Sequence, residues 1–277
     1  MDELVRIYTV CDRRPDFVKM QRDTFRRHLR DRHELVVCDN AESRGASRRL
    51  RVLCLVHRLR YVRVPDQHHE NANVACSYPL DFLTQEVLAR ERQARYSVLI
   101  DSDMFLLKPF SFADYLGPHA LAGVPQRRGP VRYLWNGLVV IDHRRLPDIR
   151  ELVWACSGSA ASPYFPAQLY QDGMLCGQAV DVGGPLHFYL ERHPEVPVKH
   201  IDMARITADA RNVDLLPDAV RAEYAPFARE ELASDLLAGG AFFHYRAGSN
   251  WNRMPVDMVA AKTRILRRLV ARSLGRG

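Results

Sequence analysis

The six cysteines, Cys11, Cys38, Cys54, Cys76, Cys156 and Cys176, include no C-x-x-C pair and no histidine spacing to match one. That argues against a structural zinc site and against a disulfide scaffold. The thiols are expected to be buried, in a reducing compartment. No apolar run approaches the roughly eighteen residues of a membrane span. Asp2, Glu3 and Arg6 around a short apolar stretch do not make a secretory leader, so the expectation is a soluble, cytoplasmic protein. Acidic residues are missing after Asp257, where Lys262, Arg264, Arg267, Arg268, Arg272 and Arg276 supply six of the seven net positive charges. The rest of the chain is close to neutral, which argues against a groove built for a nucleic-acid backbone.

What is present is enough apolar material for a full core: 47% of 277 residues, a size near the upper end for one domain. Leu4 to Val10, Leu35 to Cys38, Arg60 to Val64 and Tyr96 to Asp101 read as strands. Between them lie a helix after Pro15, a helix from about Ser47 to Arg58, and a helix that Ser77 can cap. Alternation of this kind predicts an α/β fold with a mostly parallel sheet and helices on both faces. Farther on, Leu138 to Ile141 is another apolar strand, and Ser157 to Pro166 has the composition of a mobile loop. Gln171 to Leu190 reads as loop then helix, Pro217 to Leu237 as helix, and Ala241 to His244 as a short last strand.

The fourth strand ends in Asp101-Ser102-Asp103. In extended chain, residues two apart share a side, so both carboxylates can face one target at the carboxyl end of a buried strand, where open α/β sheets bind ligands. An Asp-x-Asp triplet arises by chance about once in a chain of this length; its position gives it weight. Two hard oxygen donors there suit Mg²⁺ or Mn²⁺ carrying a diphosphate.

Taken in order, Ile100-Asp101-Ser102-Asp103, Asn136-Gly137-Leu138-Val139-Val140-Ile141, Gln171-Asp172-Gly173 and Phe243-His244-Tyr245-Arg246-Ala247-Gly248-Ser249-Asn250-Trp251 resemble the stations of GT-A type nucleotide-sugar glycosyltransferases. The layout is most similar to the glycogenin and lipopolysaccharide-galactosyltransferase group. The last station resembles that group's His-x-x-Gly-x-x-Lys-Pro-Trp element, one residue longer and with Asn250 where Lys-Pro would stand. The resemblance implies a GT-A (Rossmann-like) fold with a smaller acceptor-side subdomain. It also implies a hexosyltransferase that moves a sugar from a nucleotide diphosphate to a hydroxyl on a glycan, lipid-linked or protein-linked acceptor, with Mn²⁺ or Mg²⁺. Asp101, Asp103 and His244 would hold the metal, and Arg246, Gly248, Asn250 and Trp251 the diphosphate, with Arg246 or Arg253 in place of the missing lysine.

Thr9, Cys11 and Asp12 at the end of the first strand, Asp39 after the second, and Ser102 are candidates for the nucleotide. Asp172 is the first candidate for the catalytic carboxylate and Asp181 its rival, as base toward the acceptor hydroxyl or as support for an oxocarbenium-like sugar. Trp135, Asn136, Gly183 and Gly184 are candidates for the sugar and acceptor pocket, the glycines because they permit close backbone approach. Residues 1–104 would form the nucleotide-sugar half and 105–255 the acceptor and catalytic half. Residues 256–277 would form a basic amphipathic helix that either packs on the body or contacts a membrane surface.

Other functions fit less well. A nucleotide-sugar-forming nucleotidyltransferase needs a glycine-rich loop after the first strand, and Cys11-Asp12-Arg13-Arg14-Pro15 has no glycine. An aspartyl phosphatase carries its Asp-x-Asp on the first strand, with Thr or Val where Phe105 stands here. A non-catalytic nucleotide- or carbohydrate-binding protein is the remaining alternative.

Overall fold

A computed structural model describes residues 3–65, 71–160, 162–206, 234–246 and 255–276. Packing divides the chain into two compact units that interleave along the sequence. The first comprises residues 1–12, 31–101 and 112–201; the second comprises 13–30, 102–111 and 202–277. The short segment 102–111 leaves the first unit, and the chain returns to it at Phe112.

The first unit is built on seven strands: β1 (Val5–Cys11), β2 (His33–Asp39), β3 (Arg60–Arg63), β4 (Tyr96–Asp101), β6 (Leu121–Arg128), β7 (Val131–Asp142) and β10 (Val198–His200). Their order is β10-β6-β7-β4-β1-β2-β3. Pairs β1·β2, β1·β4, β2·β3 and β6·β10 are parallel, while β7 runs antiparallel to both β4 and β6. The mostly parallel sheet expected from the alternation is present. Val98, Leu99, Ile100, Leu138, Val139, Val140 and Ile141 are almost wholly excluded from solvent. A strand buried on both faces reads as a continuous apolar run.

Helix α1 (Pro15–His28) belongs to the second unit; α2 (Arg44–His57), α3 (Ala72–Phe82), α4 (Phe112–Leu116) and α5 (Leu186–Arg192) belong to the first. Ser43 caps α2 through Ala46 N at 3.1 Å. Asn71, not Ser77, caps α3, through Asn73 N at 2.9 Å. Ser77 lies inside that helix, bonded to Val74 O and Ser159 Oγ. Helix α3 also contains Pro79, which cannot donate to the carbonyl four residues back. That carbonyl, Ala75 O, instead accepts from Asn40 Nδ2 at 3.1 Å.

The segment read as a mobile loop is packed. Ser159 is fully buried, its hydroxyl accepts from Cys156 N at 3.0 Å, and Ser157 Oγ accepts from Val180 N at 2.8 Å. Between it and α5, β8 (Tyr170–Gln171) and β9 (Met174–Leu175) form a two-stranded hairpin. Cys11, Cys38, Cys54 and Cys156 are buried as expected, but Cys176 is exposed.

In the second unit, β5 (Met104–Leu106), β11 (Met203–Ile206), β12 (Ser234–Leu237) and β13 (Phe242–His244) form an antiparallel sheet in the order β11-β12-β13-β5. Residues 234–237, expected to end a helix, are therefore a strand; residues 217–233 of that expectation lie outside the described residues. Helix α6 (Val256–Ser273) sets Ile265, Leu266, Leu269 and Val270 against Phe17, Phe105, Phe243 and Tyr245. Its apolar stripe is covered by the protein itself, which removes the surface the membrane reading required. Arg267 pairs with Asp16 of α1 at 3.7 Å. Among the described residues no helix is long and apolar enough to cross a membrane.

Arg6 lies almost fully buried on β1, where it pairs with Glu91 and with Glu34, the latter at 2.8 Å. Burial opposes the Glu91 charge, but the Ala94 and Gln93 N–H groups and Arg6 outweigh it and hold the carboxyl down to about 2. A depressed acid adds stability that is present above its ordinary range and lost as pH falls through the folded value. Glu91→Gln is expected to cost roughly 1–3 kcal/mol at neutral pH and to flatten the fall in stability between about pH 4.5 and pH 2. Urea unfolding across that range checks both.

Candidate functional site

The register of the four-stranded sheet places the functional groups. His244, the last residue of β13, lies opposite Met104 of β5 on one side and opposite Asp235 of β12 on the other. Tyr245 N donates to Asp103 O at 2.9 Å, so the segments bearing Asp103 and His244 are joined by backbone. His244 Nε2 stands 3.4 Å from Asp103 Oδ1, and His244 Nδ1 stands 3.1 Å from Asp235 Oδ2.

All three side chains are almost wholly buried. Asp235 holds the imidazole at Nδ1, which leaves Nε2 on the side of Asp103. Burial raises the Asp235 carboxyl's affinity for a proton, but the bond to His244 and the charges of His244, Arg246 and Arg205 overcome this and hold it below the usual range. Asp101, the last residue of β4, adds a third group: one ligand atom each from Asp101, Asp103 and His244 lie within 4.8 Å of one another. Two carboxylates and an imidazole are a donor set suited to Mn²⁺ or Mg²⁺.

Asp235 was not among the residues singled out in the sequence. The available signal was a carboxylate in the strand Ser234-Asp235-Leu236-Leu237, upstream of Phe242-Phe243-His244. Lys262, read as part of a basic tail, is fully buried and donates to Tyr245 O at 2.7 Å and Arg246 O at 3.4 Å. Burial lowers its ammonium toward about 8 against the pull of Asp103 and Asp235. Arg246 is half-buried with a positive φ of 59°. Gly248, Asn250, Trp251 and Arg253 lie outside the described residues.

In the first unit, burial and then the negative charges of Asp101 and Asp181 push the Cys76 thiol well above its ordinary value. Asn136 Nδ2 lies 3.3 Å from Cys76 Sγ, so Asp101, Asp181 and Asn136 share one neighbour. Asn136 reaches it from an irregularity in β7: Val139 pairs with Gly123 but Trp135 pairs with Val124. A bulge of this kind re-aims side chains. The half-buried Trp135 lays its ring across Gly137, where an added Cβ would fall 2.1 Å from the indole.

Asp181 is half-buried, with Oδ1 accepting from Val182 N at 2.8 Å. Asp172 has a different setting. With φ of 51°, and Gly173 with φ of 72°, it forms the two-residue turn of the β8–β9 hairpin and is exposed. Asp-Gly is a preferred pair for a type I′ turn, and that explains the motif without chemistry.

Several other candidates have structural occupations. Asp39 is fully buried: Oδ1 takes Ala41 N at 2.9 Å and Arg63 at 3.1 Å, and Oδ2 takes Tyr61 OH at 2.5 Å and the Ser47 hydroxyl. Four partners fill a carboxylate's capacity and leave none for a ribose. Thr9 and Cys11 are wholly buried in β1, whereas Asp12 and Ser102 keep partial exposure.

The Gly183 and Gly184 backbones approach the protein itself. At Gly183, φ is 93° and a Cβ would meet Leu134 O at 2.8 Å; at Gly184 it would meet Val180 at 2.4 Å. Gly183→Ala is expected to lower stability by more than ~1 kcal/mol, read as a fall in Tm. An unchanged Tm would return the glycine to a ligand-binding role.

No protein-family model matches the chain, and no curated protein does. Among solved structures it is similar to a mannosyltransferase from Pyrobaculum calidifontis in complex with GDP-Man and Mn²⁺ (15% identity over 56% of this chain and 48% of that one, TM-score 0.38). It is also similar to the bifunctional glycosyltransferase WbbM (18% identity, 51% and 32% covered, TM-score 0.35), and to the galactosyltransferase LgtC in complex with donor and acceptor sugar analogues (14% identity, 61% and 68% covered, TM-score 0.38). The matched region spans about half of the first of these chains and a third of the second. All three of these structures are of glycosyltransferases.

Proposed function

We propose that the protein is a metal-dependent glycosyltransferase that moves a hexose from a nucleotide diphosphate to a hydroxyl on a glycan, lipid-linked or protein-linked acceptor. The observation that carries this is the Asp101, Asp103 and His244 donor set at the carboxyl end of β4, with His244 Nδ1 3.1 Å from Asp235 Oδ2. Transfer builds negative charge on the departing diphosphate, and a bound Mn²⁺ or Mg²⁺ would offset that charge.

Asp101, Asp103 and His244 would hold the ion, and Asp235 would keep the imidazole aimed. Asp12 and Ser102, the partly exposed members of the nucleotide set, would face the nucleoside. Trp135 and Asn136 would border the sugar. Asp181 is preferred to Asp172 as the catalytic carboxylate because it shares Cys76 with Asp101. It would take the acceptor hydroxyl's proton or support the oxocarbenium-like sugar. Arg246 would face the diphosphate.

Mn²⁺-dependent hydrolysis of uridine-, guanosine- and thymidine-diphosphate sugars tests the reading. Asp103→Ala and His244→Ala are expected to abolish both turnover and Mn²⁺ binding by calorimetry while leaving the circular dichroism spectrum intact. Binding of a nucleotide sugar with no turnover of any donor would favour the non-catalytic alternative.

Asp235→Asn is expected to weaken Mn²⁺ binding roughly 10–100-fold, the range for the carboxylate behind a ligating histidine. Asp181→Asn should lower kcat by at least ~100-fold, with Asp172→Asn near wild type. The reverse ranking would move the chemistry to the hairpin.

A further inference from the structure

Helix α2 buries Ala46, Leu50 and Cys54 and turns its other side outward with an unusual composition. Leu55, Val56 and Val52 are 80%, 69% and 51% exposed, three of the five most exposed large hydrophobic residues among those described. They do not scatter. At about 100° per residue, Val52, Leu55 and Val56 form one stripe that continues through Arg48, in an i, i+4, i+7, i+8 pattern. The exposed Arg49 and Arg51 fall on opposite flanks of it, and the helix contains no Asp or Glu.

We infer that α2 docks on an anionic lipid surface. Its aliphatic stripe enters the headgroup boundary, and Arg48, Arg49 and Arg51 reach the lipid phosphates. The composition is that of an interfacial helix, with an apolar face, cationic borders and no acid. Arginine stems can lie along the apolar stripe while their guanidiniums stay in the polar layer.

A lipid surface suits this face better than a protein partner. Three aliphatic side chains on a single convex helix fall far short of the roughly 800 Å² per partner of a stable protein interface. Shallow insertion into a bilayer has no such threshold. A second copy of the chain would bring arginines against arginines. The inference stands apart from the glycosyltransferase reading, since it uses none of the residues near Asp103. It also differs from the membrane contact expected of the C-terminal helix, whose stripe is covered.

Flotation of the full chain with phosphatidylcholine vesicles, with and without 30% phosphatidylglycerol, at low and high salt, tests it. The expected result is binding to the anionic vesicles alone, weakened by salt. Leu55→Ser with Val56→Ser should reduce it by at least tenfold, and each of Arg48→Gln and Arg51→Gln by about fivefold. Thermal melts establish that these surface variants stay folded. Arg264→Gln with Arg268→Gln on α6 should bind like wild type. Any of three results overturns the proposal: no binding to anionic vesicles, binding lost only with the α6 arginines, or a dimer in solution that Leu55→Ser disrupts.

Discussion

The cross-strand register of β12, β13 and β5 is the constraint on which the site depends. It sets Asp235 opposite His244 and His244 opposite Met104, and Asp103 immediately precedes that strand. A histidine between two carboxylates has two ring nitrogens with different duties. Nδ1 stands against Asp235 and anchors the ring, and Nε2 stands on the side of Asp103. Because strand side chains alternate faces, a slip of one residue would remove the imidazole from both acids at once. The aromatic packing of Phe17, Phe105, Phe243 and Tyr245 behind the sheet opposes that slip, since it would turn buried rings to solvent.

Much of the first unit was legible because its strands are doubly covered. Continuous apolar runs such as Val98-Leu99-Ile100 announce a buried parallel strand from local composition alone. The misreadings share a cause: each depended on a contact distant in sequence. Ser77 and Asn71 are both good caps, and only the placement of the preceding turn decides between them. Gly183 reads as a place for a ligand until Leu134 O is found in the way. Lys262 reads as a solvated charge until two carbonyls are found around its ammonium. Asp235 was missed because its role arises from a strand partner nine residues away.

The carboxylates divide by environment more than by motif. Asp39 ends a strand in a position suited to a ribose, yet its oxygens are filled by Ala41, Arg63, Tyr61 and Ser47. It ties together the carboxyl ends of β2 and β3. Asp81 is buried with a single described donor, Trp154 N at 2.6 Å, and burial pushes its carboxyl well above the ordinary range. Asp172 meets water in a hairpin turn. Asp181 and Asp101 both act on the Cys76 thiol, a link that spacing in the sequence does not carry.

The buried Lys262 gives the last helix a consequence beyond packing. Its ammonium fastens the two carbonyls that directly follow His244, so the backbone holding the imidazole is stitched to α6. A carboxypeptidase that trimmed the chain back past this lysine is expected to loosen the histidine without ever touching the strand that carries it.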